Sequence, residues 1–241
     1  MLSIASTGAW QGVVHSPTAW VFTFVLAVVF PMVDYLLYFR LRSKLKLYVW
    51  NILALWSLVA ACLWLIRSNG LRLVDIGEWI GSPSRTLAVS ASLLAIFAAL
   101  SVAGKIQQRK ASTEQLRKAV GQAGRLLPVS RTEKAVWVAV ALTAGVCEEF
   151  LYRGWLLNLI ATISGSLWIA LVISSIVFGL AHVYQGRNGI LGSSVLGIVL
   201  GAIFLFSRTL LPGQILHAAI DLNNGFALGK IVSQLENPTA G

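Results

Sequence analysis

Apolar runs of about 20 residues follow one another along this chain, separated by short turns, and no feature constrains its fold more. A helix of that length crosses the hydrocarbon core of a bilayer. In lipid its backbone groups must be satisfied within the segment, which makes a helix the natural spanning form. Seven runs are read, at 18–39, 47–66, 86–104, 135–161, 166–184, 190–207 and 210–229. Composition agrees. The 241 residues are 57% hydrophobic and 12% charged, and the mean hydropathy is +0.77. A soluble domain lacks the polar surface to cover so much apolar material. The expected fold is an all-α polytopic transmembrane bundle of about seven to eight spans, in one membrane domain rather than several soluble ones.

The net charge of +10 raises the question of nucleic acid. Its distribution points elsewhere. With the N-terminus outside, the inner segments hold Arg40, Arg42, Lys44 and Lys46, then Lys105, Arg109, Lys110, Arg117, Lys118, Arg125, Arg131 and Lys134, then Arg187 and Lys230. The outer segments hold only Arg67, Arg72, Arg85 and Arg208. That asymmetry is the positive-inside pattern and favours N-out, C-in. The expected partners are the lipid bilayer, including anionic headgroups, and no nucleic acid. Trp20, Trp50 and Trp168 fall near span ends, as an aromatic belt requires. The outer segment LRLVDIGEWIG reads as a short amphipathic piece along the interface. The inner stretch Lys105–Lys134, the longest polar one, reads as partly helical and in contact with headgroups. No cleavable signal peptide is read at the N-terminus. Cys62 and Cys147 sit in apolar runs and read as small buried hydrophobes, and Gly197 and Gly201 in GIVLG as ordinary helix packing.

Ionisable groups inside such runs are expensive, at least about 2.5 kcal/mol each. They are few: Asp34, Glu148, Glu149, Arg153, His182, His217 and Asp221. Asp34 lies near the inner end of its run and takes a structural reading. The other six occupy three runs of the C-terminal half, within CEEFLYRG, FGLAH and HAAID. Residues four apart share a helix face, so Glu149 can pair with Arg153, His217 faces with Asp221, and Phe178 with His182. Glu148 points about 100° away from Glu149 and stays free for another role.

Three readings follow. One is a structural polar cluster in a non-catalytic membrane immunity or scaffold protein. A second is a proton-coupled transporter, which the lack of repeated broken helices disfavours. The third is hydrolysis, since a carboxylate and two histidines around a wet pocket suit a general base and the water it activates.

Taken in order, EEFLYRG, FGLAH and HAAID resemble the EExxxR, FxxxH and HxxxN or HxxxD motifs of the CAAX-protease and bacteriocin-processing family, intramembrane endopeptidases similar to the type II CAAX prenyl endopeptidase. The resemblance covers roughly 128–229. It implies residues 1–127 as N-terminal transmembrane helices with a basic cytoplasmic segment, and 128–241 as the protease core. Glu148 would be the general base and His182 would hold the same water. Glu149 with Arg153 would be the supporting pair, and His217 would donate to the oxyanion. Asp221 stands where the family often has asparagine. An ionised carboxylate cannot donate, so Asp221 is expected to orient His217. The substrate would be a membrane-associated peptide or protein, in a bacterial plasma membrane. No cofactor is favoured. Zinc on Glu148, His182 and His217 is the alternative, although HExxH is absent.

One geometric difficulty stands against convergence. Straight antiparallel helices about an outer turn near Ser164 leave Glu149 and His182 roughly 9 Å apart in depth. Tilt, a kink or shifted helix ends must remove the gap, and Gly145, Gly154 and Gly179 are the positions that would permit it.

Overall fold

The computed structural model describes residues 7–108 and 110–236; Arg109, one of the basic residues counted above, lies outside the described residues. Nine helices make up the described chain, and no strand occurs among the described residues. In chain order they are α1 (Thr7–Val14), α2 (Pro17–Arg40, with a π-helical stretch Val25–Val29), α3 (Lys44–Ser68), α4 (Pro83–Gln108), α5 (Thr113–Val120), α6 (Arg131–Ser164), α7 (Leu167–Leu180), α8 (Gly186–Ser207) and α9 (Leu211–Glu236). This is the expected all-α membrane bundle, and the protein is an integral membrane protein.

All seven expected runs are helical. Five helical segments are both long and apolar enough to cross a bilayer: α2, α3, α4, α6 and Val183–Ser207, which contains α8. The other two carry the site. α7 has only 14 residues, because the helix breaks after Leu180. α9 has 26 residues, but Gln214, His217, Asp221, Asn223 and Asn224 lower its apolar character.

Serines set the helix starts. Ser16, Ser43 and Ser166 each accept from a backbone N–H three residues on, satisfying a donor that the first turn leaves orphaned. Ser130 and Glu133 form a reciprocal capping box at the start of α6. These polar starts lie outside the apolar slab, which is why α3 and α6 begin earlier than the hydrophobic runs do.

α6 is the central element. About 61% of its spanning window is buried, against 6% for α4 at the periphery. Its Leu151, Trp155 and Leu157 are fully enclosed in the main core. Gly145 lets α6 and α9 meet closely: a Cβ there would come within 2.8 Å of Ala218 Cβ and Gln214 O. The GIVLG glycines pack within the molecule, Gly197 on Ser175 and Gly201 on Leu171, as read from the sequence. Cys62 and Cys147 are buried and free.

The loops gather at two ends. At the basic end, Gln122–Leu127 is strapped to α2, α3 and the turn between them. Lys44 Nζ donates to Leu127 O at 2.8 Å and Arg125 Nη2 to Leu41 O at 2.6 Å, while the hydroxyls of Tyr38 and Tyr48 donate to Gln122 O and Leu126 O. Val120 and Leu127 form a second small core with Ile231 and Val232 of α9. At the opposite end the segment LRLVDIGEWIG departs from the interfacial reading. Leu71, Ile76 and Gly77 are buried, Ile76 O faces Gly154 of α6, and Leu210 N donates to Gly77 O at 2.9 Å. Its hydrophobic residues Leu73, Val74, Trp79 and Ile80 remain exposed, as does Arg72. The segment thus closes this end of the bundle over α6.

Candidate active site

The central helix changes character at the motif. α6 is α-helical through Glu148 and π-helical from Glu149 to Leu157. Such wide turns are rare and concentrate at functional positions. The widened stretch carries Glu149 and Arg153, 1% and 2% exposed. Two charges so deep require mutual compensation. They have it: Arg153 Nη1 donates to Glu149 Oε1 at 2.9 Å. Arg153 Nη2 donates to Gly197 O of α8 at 3.2 Å, and the guanidinium carbon lies 4.4 Å from the centroid of the Phe178 ring of α7. One arginine therefore ties α6 to both following helices.

Glu149 makes the remaining connection. His217 Nδ1 of α9 lies 3.0 Å from Glu149 Oε1. A carboxylate only accepts, so Nδ1 carries the proton and donates. The other ring nitrogen, Nε2, is 3.8 Å from Glu148 Oε2 and 3.7 Å from Asp221 Oδ2. Those gaps are too long for direct hydrogen bonds. They suit a bridging water. The carboxylate that takes the Nδ1 proton of His217 is that of Glu149, whereas Asp221 stands at the opposite nitrogen.

His182 is positioned by its own helix end. Its Nδ1 lies 2.8 Å from Phe178 O, a carbonyl acceptor, which leaves Nε2 as the free nitrogen. The expected depth mismatch is absent. The turn falls at Gly165 and Ser166, so Glu149 and His182 are each fifteen residues from the flanking helix ends, at Ser164 and Leu167. The Phe178 ring gathers the site: its centroid is 4.8 Å from that of His182, 5.8 Å from that of His217 and 5.1 Å from that of Tyr152.

The structure therefore brings together Glu148, Glu149, Arg153, His217 and Asp221, and joins His182 to them through Phe178. Beside them a cavity of about 800 Å³ is lined by His182, His217 and Asp221, by Gln122, Ala123, Leu126 and Leu127 of the strap, and by Tyr184 and Arg187. All the loops that line it belong to the basic end. Sequence reasoning missed the aromatic hub and the Gly197 carbonyl. The FxxxH spacing placed Phe178 on the face of His182, but nothing in the sequence announced its contact with Arg153.

Zinc would need Glu148, His182 and His217 on one ion. Glu148 Oε2 and His217 Nε2 do face each other, yet among the described residues no three His, Cys, Asp or Glu side chains are placed to hold a metal ion. As arranged, these residues do not fit that ligand set.

Comparison with known proteins bears on this geometry. Residues 131–223 match the family model described as type II CAAX prenyl endopeptidase Rce1-like. This segment is Rce1-like. The Rce1-like segment runs from the start of α6 to just past Asp221, so it contains every residue of the cluster. The match bears out the family read from the three motifs and implies a protease. No curated protein and no solved structure matches the chain.

Proposed function

We propose that the protein is an intramembrane endopeptidase, hydrolysing a peptide bond of a membrane-associated peptide or protein with a water activated by Glu148. One observation carries the reading. Glu148 Oε2 is buried without a hydrogen-bond partner, while Oε1 of its neighbour Glu149 accepts from both Arg153 and His217. A buried acceptor left bare costs stability and asks for a reason. A general base needs such a free lone pair beside the water it deprotonates.

The substrate carbonyl would sit in the cavity beside His182 and His217. Glu148 takes a proton from the water as its oxygen bonds to the carbonyl carbon, and the carbonyl electrons move onto oxygen. His217, when protonated on both nitrogens, donates from Nε2 to that oxyanion while Nδ1 stays held by Glu149. The carbon–nitrogen bond then breaks and Glu148 returns the proton to the departing amine. His182, with Nδ1 tied to Phe178 O, offers Nε2 as an acceptor for the same water. Glu148 acts here as a base rather than as a metal ligand. We further propose that the basic end faces the cytoplasm of a bacterial plasma membrane, with the N-terminus outside, so that substrates reach the cavity from that side and anionic headgroups flank it.

The test uses the full chain in vesicles with an internally quenched peptide bearing a prenylated C-terminal CAAX sequence, and the same peptide without the lipid. Wild type should cleave at least one of them. Glu148→Gln and His182→Ala should each slow turnover about 10²- to 10⁴-fold without loss of folding. Turnover in both variants equal to wild type would remove the reading and leave the structural cluster as the function of these residues.

A further inference from the structure

Tyr152 holds a position that phenylalanine would fill without leaving a polar atom bare. The residue is 1% exposed, its ring packs against Phe178, and its hydroxyl oxygen is buried with no hydrogen-bond partner. Within the cluster two side-chain oxygens share this state, Tyr152 Oη and Glu148 Oε2. They belong to residues four apart on α6 and so lie along one face. The charged groups that act on the hydroxyl are Glu148, Arg153 and, from α2, Asp34. Phe178 packs against the tyrosine ring and both imidazoles, so the three rings share one neighbour.

The two bare atoms are complementary. A phenol hydroxyl donates, and an ionised carboxylate only accepts. One water between them would satisfy both, accepting from Tyr152 Oη and donating to Glu148 Oε2, and a buried water needs two or more such partners. We infer that Tyr152 is a further catalytic residue of the hydrolysis proposed above: its hydroxyl holds the water that Glu148 deprotonates. The assignment rests on that reading. The water gives its proton to Glu148 and one lone pair to the carbonyl carbon; its other lone pair accepts from Tyr152, which keeps its proton throughout. The residue that sequence analysis passed over as one x of EExxxR thereby becomes part of the site.

The experiment compares Tyr152→Phe with wild type and Glu148→Gln, in vesicles with the same quenched peptides, alongside thermal unfolding. Loss of the donor should lower kcat about 100-fold. KM should stay within about twofold and Tm should not fall, because the binding surface is intact and a bare polar atom has been removed. A kcat within about threefold of wild type, while Glu148→Gln is dead, overturns the assignment and leaves the hydrolase reading standing. A kcat loss that comes with a lowered Tm, or failure to fold, marks a packing role and overturns it as well. Absence of turnover in wild type removes both.

Discussion

Arg153→Ala should be among the most damaging single substitutions in this protein, and the structure says by how much. The side chain is 2% exposed and makes three contacts: 2.9 Å to Glu149 Oε1, 3.2 Å to Gly197 O and 4.4 Å to the Phe178 ring. Removing it leaves Glu149 charged, buried and supported by His217 alone. Breaking a buried pair from one side costs about 3–5 kcal/mol. The lost contact with the aromatic face adds about 1 kcal/mol. With roughly 2–4 °C of Tm per kcal/mol for a chain of this size, the fall should be on the order of 10 °C. The assay is thermal unfolding in lipid nanodiscs, followed by tryptophan fluorescence, which reports on buried Trp155 in the same helix. A paired replacement sharpens it. Glu149→Gln together with Arg153→Met removes both charges and keeps an amide oxygen to accept from His217 Nδ1. That variant should recover to within about 1–2 kcal/mol of wild type, since apolar replacement of a buried pair is often close to neutral. An Arg153→Ala variant that unfolds with wild type, or a paired variant no more stable than the single one, would refute the argument that compensation inside the bundle is what holds this arginine.

Other outcomes follow from particular contacts. Gly145→Ala should destabilise by about 1–3 kcal/mol and slow cleavage, because the new methyl meets Ala218 and Gln214 O across the α6–α9 contact that the Glu149–His217 bond also spans; unchanged unfolding would show that the helices have room. Asp221→Asn should keep turnover within about tenfold of wild type, since Glu149 orients His217, and a loss as large as that of Glu148→Gln would return the orienting role to Asp221. Turnover should survive dialysis against a chelator, and a loss that added zinc restores would reinstate Glu148, His182 and His217 as ligands. Glu78, outside the spans, titrates in a different way. Burial holds its carboxyl above the usual 4.5, against the hydrogen bond from Gln214 Nε2 at 3.0 Å. A raised acid binds its proton more readily folded than unfolded, so its contribution is present below 4.5 and is lost as pH rises through the folded value. As pH falls from neutral toward 4.5, wild type should therefore gain Tm relative to Glu78→Gln, and identical profiles for the two would count against burial as the cause.

Hydrophobic length made the spans legible. The run 18–39 became Pro17–Arg40 and 47–66 became Lys44–Ser68, since an apolar run of that size in lipid has one stable backbone form. The spacing of four made Glu149–Arg153 legible too, because i and i+4 neighbours meet by helix geometry alone. What stayed hidden was set by tertiary packing. The eight residues of α1 form too short a run to register as a span, yet Trp10 and Val13 are fully buried, with Trp10 against Trp155. The tucked segment around Ile76 looks amphipathic in sequence and finds its partner in Gly154, far along the chain. The end of α7 at Leu180 lies inside a continuous apolar pattern, and only the structure shows that the break there places His182 at the cavity.

Adjacent glutamates with opposite duties are the physical centre of this site. Successive residues on a helix diverge by about 100°, so Glu148 and Glu149 cannot share one environment. Glu149 turns toward α9, and its Oε1 accepts from Arg153 of its own helix and from His217 of α9. A carboxylate fixed by two donors on one oxygen is a good clamp, and the lone pairs of Oε1 are no longer free to act as a base. Glu148 keeps Oε2 bare at the edge of the same cluster, 3.8 Å from an imidazole that Glu149 has fixed. The clamp is therefore the condition for the base: it sets the position of His217 and spares Glu148 from doing so. Exchange of the two duties would require α6 to rotate by the same 100°, which the fully buried Leu151, Trp155 and Leu157 on its core-facing sides prevent.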